Sequence, residues 1–231
     1  MILRGACAAA CLATAGQANA GRPLTVEDAA VVDRGGVQVE AWMDRSSDSL
    51  VGWIVPAFNA GLDTEWQAGF ARTRSDGRSQ FSGAYVQAKT LWRGLDQDHA
   101  WGAASVLGST RDPLAATHRG YDNPYALGVA TFALGPDGAL LHANAGWIRH
   151  REEDRDAAIW GLAAEGPAFR NVAWVAEAYG ENRGRAWLRA GGRWSAIPNH
   201  LDIDLSWWVR AHGNSTERFL SLGVTWQSGP L

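Results

Sequence analysis

The sequence predicts an all-β protein, an antiparallel transmembrane β-barrel of about twelve strands. Three observations lead there. In the stretch 201–211, Leu201, Ile203, Leu205, Trp207 and Val209 share one parity, while Asp202, Asp204, Ser206 and Arg210 share the other. Successive side chains of a strand point to opposite faces, so this pattern builds a sheet with one oily and one charged side. An export signal opens the chain, and both cysteines, Cys7 and Cys11, lie within it. Finally, thirteen tryptophans suit a protein whose surface crosses a lipid–water boundary, where indole rings concentrate.

The amino-terminal segment has the three parts of a secretory signal. Arg4 supplies the positive region, Gly5 to Gly16 is small and apolar, and Ala18-Asn19-Ala20 forms a small-residue cleavage site. The apolar part is shorter than the roughly 20 residues a membrane-spanning helix needs. The chain therefore divides into a signal peptide over 1–20, a periplasmic leader over 21–36 and an outer-membrane barrel over 37–231. Processing removes both cysteines, which excludes disulfides and Cys-based zinc or redox sites. It also removes Arg4, so a net charge of −3 becomes more negative and no basic footprint for nucleic acid remains.

Candidate strands follow at 37–45, 50–58, 64–73, 80–92, 99–109, 124–134, 139–150, 156–165, 170–180, 185–196, 201–211 and 218–226, with ten or fourteen within the boundary error. The first carries Val37, Val39, Ala41 and Met43 against Gln38 and Glu40. Later ones repeat the alternation, as in Leu141, Ala143, Ala145 and Trp147 against His142 and Asn144. The strands near 124–134 and 156–165 are small and apolar on both faces. Either their inner face meets a buried plug such as the leader, or their register is different. Helical periodicity is confined to a turn or two at Val26–Val32.

Links between strands sort into two kinds. Asn59–Asp63, Arg93–Asp96, Gly135–Gly138, Gly166-Pro167 and Ile197–Asn199 are short and rich in Gly, Pro and Asn or Asp. Alternating with them are more charged links: 45–48, 74–78, 111–121, 149–156, 180–185 and 211–217. Short turns at one rim and longer polar loops at the other are expected of an outer-membrane barrel.

Charges facing lipid at mid-depth are costly, so the polar parity belongs inside. The expected pore-lining set is Glu40, Glu65, Gln87, Lys89, His142, Asn144, Glu177, Arg189, Asp202, Asp204 and Arg210. These residues line a narrow channel or close it with ion pairs. Asp202 and Asp204, two apart on one face, bias such a pore toward cations. No enzyme is expected. Ser215, His212 and Glu217 crowd one loop, which cannot by itself hold nucleophile, base and orienter in line. His118, His142 and His150 lack metal-ligand spacing, and no nucleotide fingerprint or cofactor motif occurs.

The run Arg22-Pro23-Leu24-Thr25-Val26-Glu27-Asp28-Ala29, then Asp33-Arg34-Gly35 and Val37-Gln38-Val39-Glu40, resembles the proteobacterial outer-membrane barrels grouped with the meta-pathway of phenol degradation. That resemblance implies transport of small molecules, hydrophobic or aromatic ones among them, across the outer membrane. Its motif covers the leader and first strand. The last strand ends on Trp226 followed by a five-residue tail, whereas such barrels commonly finish on an aromatic residue. The expected partners are outer-membrane lipid and a small solute. The alternatives are a sealed structural or adhesive barrel, or a soluble periplasmic β-protein that binds a hydrophobic ligand.

Overall fold

The computed structural model describes residues 22–95, 100–212 and 215–229. The signal peptide expected over 1–20 lies outside the described residues. Twelve strands form: β1 (Val37–Arg45), β2 (Ser49–Asn59), β3 (Thr64–Ser75), β4 (Arg78–Arg93), β5 (Trp101–Arg111), β6 (Asn123–Ala133), β7 (Leu140–His150), β8 (Arg155–Phe169), β9 (Val172–Glu181), β10 (Trp187–Ile197), β11 (Leu201–His212) and β12 (Ser215–Gln227). Each pairs antiparallel with its sequence neighbours, and β1 pairs with β12 from Gln38↔Gln227 to Arg45↔Leu220. The barrel is closed, so no strand edge is left with unpaired backbone groups in a medium without water.

Alternation sets the faces as expected. Met43, Ile54, Leu107, Leu162, Leu188, Leu205, Leu220 and Leu222 are exposed on the outside, while Gln38, Glu65, Lys89, His142, Glu177, Arg189 and Asp204 are buried within. An exposed apolar band of this extent is suited to lipid and would be a liability in water. The tryptophans sort by position. Trp66, Trp92, Trp101, Trp174, Trp194 and Trp226 face outward at the rim where β1 begins and β12 ends, forming one aromatic girdle. Trp147, Trp160 and Trp207 face outward toward the other rim. The remaining four, Trp42, Trp53, Trp187 and Trp208, point into the lumen.

Two boundaries differ from the sequence expectation. Strand β8 runs through Gly166-Pro167, which had the composition of a turn. Pro167 pairs with Ala173, and a bulge between Pro167 and Phe169 absorbs the missing amide. The chain reverses at Arg170–Asn171, with Arg170 at φ 43°. At the opposite rim, β3 and β4 extend until only Asp76-Gly77 joins them, both at positive φ (50° and 74°), the conformation of a tight hairpin. The 74–78 link is therefore a two-residue turn, and 112–122 is the one extended loop at that rim among the described residues.

No helix forms among the described residues, and Val26–Val32 contains bends and extended chain only. Amides that a helix would satisfy internally are bonded instead to the barrel wall, as described next.

Candidate lumenal site

Residues 22–32 lie inside the barrel and follow its wall. From Gly36 backward, their partners step round the strands. Asn59 of β2 donates from Nδ2 to the Val32 carbonyl (2.7 Å), and Glu65 of β3 accepts from the Val32 amide (2.7 Å). Ala29 packs against Ala104 and Val106 of β5 and Val129 of β6, and its amide donates to Thr131 Oγ1 (2.8 Å). Asn144 of β7 makes a two-way bond with Glu27, accepting from its amide (2.7 Å) and donating to its carbonyl (2.8 Å). Glu177 of β9 accepts from the amides of Thr25 and Val26, each at 2.8 Å. Arg189 of β10 donates to the Pro23 carbonyl. Arg22 completes the circuit, pairing with Asp204 of β11 (3.0 Å), donating to Ser221 of β12 (2.6 Å) and lying over Trp42 of β1 at 4.3 Å.

The leader is thus a belt held by wall side chains. It adds no strand to the sheet. An extended chain buried in a protein must find partners for each amide and carbonyl, and the inward carboxylates and amides supply them. Lys89 reaches across from β4 to Glu27 (3.0 Å) and Asp28 (3.1 Å), and Gln87 donates to Glu27 (2.8 Å). Glycines in the wall make the space. A Cβ built at Gly161 would sit 2.6 Å from Val26 Cγ2, and one at Gly223 would sit 2.4 Å from Asp204 and 2.9 Å from Arg22.

All eleven residues expected to line a pore project inward. Eight of them, Glu40, Glu65, Gln87, Lys89, Asn144, Glu177, Arg189 and Asp204, bond to the leader. The other three do not. His142 bonds to Thr131 through Nδ1 (2.9 Å) and sits 3.5 Å from Glu165, Asp202 lies 3.9 Å from Arg193, and Arg210 pairs with Glu217 (3.0 Å). The apolar inner face of β6 and the small one of β8 meet Ala29 and Val26, which is the plug alternative of the sequence reading.

The belt leaves space. A cavity of about 420 Å³ lies against it, lined by Trp42, Trp53, Tyr85, Tyr125, Tyr179 and Trp208 among others. A second, of about 520 Å³, shares Thr25, Val26, Leu127 and Tyr179 with the first and extends to Trp187, Arg183, Arg185 and Arg210. On each strand the aromatic residue stands farther from the girdled rim than the leader's anchor: Trp42 beyond Glu40, Tyr85 beyond Lys89, Tyr125 beyond Thr131, Tyr179 beyond Glu177 and Trp208 beyond Asp204. These rings pack on one another: Trp42 stacks with Trp53 (5.6 Å), and Trp208 meets Phe219 (4.7 Å) and Trp187 (5.0 Å) at tilted angles. The sequence reading reserved the inner parity for polar residues and so missed them, although their parity alone places them inside.

Gly213 and Asn214 of the His212–Glu217 run lie outside the described residues, as do the side chains of His212 and Ser215. Among the described residues no cluster of His, Cys, Asp and Glu could hold a metal ion.

Comparison with known proteins agrees with this architecture. The chain belongs to the family described as "Uncharacterised conserved protein UCP029691", whose model matches residues 8–227. No curated protein matches it in sequence. Among solved structures it is similar to a KdgM porin (TM-score 0.61, 5% identity, 82% of this chain and 98% of that one). It is likewise similar to a COG4313 outer membrane channel from Pseudomonas putida F1 (TM-score 0.59, 10% identity, 89% and 100%) and to a NanC porin (TM-score 0.57, 8% identity, 82% and 98%). At these identities the likeness is one of fold.

Proposed function

We propose that this family member is an outer-membrane channel for small molecules, exported through a signal peptide cleaved after Ala20, with residues 22–32 as its constriction. The observation that carries this reading is the state of the lumen. It is polar, it is not filled, and the segment that narrows it is held by side-chain bonds alone. Such a belt can shift without breaking a strand ladder, because none of its bonds belongs to the sheet. The apolar outer surface and girdle suit lipid, and the similar solved structures include outer-membrane channels and porins. Short turns then face the periplasm and the 112–122 loop faces outward.

In this reading the substrate passes an aromatic chamber before the belt, which accords with the hydrophobic or aromatic solutes implied by the resemblance to the meta-pathway barrels. Selectivity rests on the belt and on the lumen charges it leaves unpaired. A second reading, a sealed barrel, is favoured by the eight wall residues that grip the leader. Single-channel recording of the folded protein in planar bilayers separates the two. Discrete conductance steps support the channel. A silent membrane containing protein with the heat-sensitive gel mobility of a folded barrel supports the sealed barrel and overturns the channel.

A further inference from the structure

The outer surface changes character around the loop-bearing rim. The outward tryptophans there, Trp147, Trp160 and Trp207, stand on β7, β8 and β11. On β12, β1, β3 and β5 the outward positions near that rim hold arginine instead: Arg218, Arg45, Arg72, Arg74 and Arg111. Each shares the parity of exposed apolar residues on its strand, Leu220 for Arg218, Met43 for Arg45, Phe70 for Arg72 and Arg74, and Leu107 for Arg111. Arg45 and Arg111 are the last residues of their strands, and Arg74 is the last but one of β3.

These charges are unbalanced. From β12 round to β5 the strand carboxylates, Glu217, Glu40, Asp44 and Glu65, all stand on the inner parity. None of the five arginines forms an ion pair among the described residues. On the tryptophan side, by contrast, the outward Arg149 is matched by Asp154 and by Asp156 (3.0 Å). The hydrogen bonds that the arginines do make go to neutral oxygens. Arg72 Nε donates to Ser79 Oγ (2.8 Å) and Arg111 Nε to the Arg119 carbonyl (2.7 Å), so the terminal nitrogens of both forks have no partner among the described residues.

Three of the arginines surround one ring. Phe81 of β4 pairs across the sheet with Arg72, Ser79 pairs with Arg74, and Arg111 Cζ lies 5.7 Å from the Phe81 centroid. Arg72 and Arg74 are two apart on one face, about 7 Å along the strand, with no side chain between them on that face. Two guanidinium forks so placed reach one tetrahedral anion, and the planar fork matches phosphate bidentately. Beside them the exposed Phe70 and Val86 continue the apolar band, a surface for acyl chains. An arginine at this boundary keeps its stem in hydrocarbon and its head in the polar layer. The partner that fits is therefore anionic at its head and apolar in its body.

We propose that Arg72, Arg74 and Arg111 bind the phosphates of a phosphorylated glycolipid in the leaflet around the loop-bearing rim, with Arg45 and Arg218 extending the same basic surface. The site is on the outside of the barrel and needs no open lumen. It shares with the proposed function only the membrane orientation, and its test, made in detergent, needs no conductance.

Radiolabelled bis-phosphorylated lipid A is titrated onto the exported protein folded in detergent. Lipid A stripped of both phosphates and inorganic phosphate serve as comparators. The titration is repeated on Arg72→Gln, Arg74→Gln and Arg111→Gln, singly and combined, and on Arg149→Gln, with heat-sensitive gel mobility confirming folding; the single variants keep the test open if the combined one fails to fold. The phosphorylated lipid should bind at least tenfold tighter than the stripped lipid. The combined variant should weaken it at least tenfold, each single variant at least twofold, and Arg149→Gln less than twofold. Stripped lipid that binds as tightly, variants that bind like the parent, or an equal loss in Arg149→Gln would overturn the proposal. Displacement of the lipid by an equal concentration of inorganic phosphate would assign the patch to free phosphate and overturn the lipid.

Discussion

Removing Glu177 should release the leader while leaving the barrel intact. Its carboxylate accepts the Val26 amide (2.8 Å) and the Thr25 amide (2.8 and 3.0 Å to its two oxygens) and stands 3.4 Å from Arg189, with a side chain 0% exposed. In Glu177→Ala two main-chain donors lose their acceptor and Arg189 loses its counter-ion. Breaking a buried pair from one side costs about 3–5 kcal/mol. At about 1.4 kcal/mol per factor of ten, the opening equilibrium of the belt should rise roughly 100-fold or more. Both cysteines, Cys7 and Cys11, fall in the proposed signal peptide, so in a chain beginning at Gly21 a single Ala29→Cys reports on opening: Ala29 is 4% exposed against β5 and β6. Its labelling by a water-soluble maleimide follows the open fraction while opening remains rare. About a 100-fold faster labelling in the Glu177→Ala background is expected, with unchanged heat-sensitive mobility. An equal labelling rate would refute the idea that this carboxylate anchors the belt.

Three further outcomes are expected. Gly161→Leu puts side-chain atoms where Val26 Cγ2 lies (2.6 Å from a built Cβ), so it should speed Ala29→Cys labelling as Glu177→Ala does, and a rate like the parent's would show that the wall yields instead. Leu205→Arg places a charge on the lipid face, where Leu205 is 53% exposed, and should lower stability by about 2–4 kcal/mol in urea unfolding from vesicles; no change would mean that this face does not meet hydrocarbon. At the loop rim, Glu152 accepts the His118 amide (3.0 Å) and the Thr117 hydroxyl (2.8 Å), and these bonds hold its carboxyl down at about 2. A depressed carboxyl stabilises above its unfolded value of about 4.3 and loses that contribution as pH falls toward 2. The protection of the Thr117 and His118 amides, taken against intrinsic exchange at each pH, should therefore hold at neutral pH, fall between about pH 4 and 2, and show no such fall in Glu152→Gln.

Strand positions and faces were legible because a two-residue period is a local signal. Leu201 to Arg210 announces its faces without reference to any other strand. The β8–β9 turn was less so, since Gly166-Pro167 has turn composition but sits at a bulge whose existence depends on the register with β9. The leader's path was the least legible part. Arg22 meets Asp204 across 182 residues of sequence, and nothing near either residue signals the other. What could be read was indirect, namely that the stretches 124–134 and 156–165 are small and apolar on both faces, which made a buried plug one of two alternatives. The aromatic chamber was hidden by an assumption. Sorting polar residues inward is right for charge but leaves out Trp42, Trp53 and Trp208, which stand on the inner parity of their strands and face a lumen narrow enough to be packed.

The most direct test of the account compares the single-channel conductance of the processed protein with that of a variant lacking residues 22–32, in the same bilayer and salt. If those residues form the constriction, the shortened chain conducts several-fold better and with steadier open levels, while its gel mobility remains that of a folded barrel. Equal conductance in the two proteins would contradict the account, because the belt would then narrow nothing that ions use.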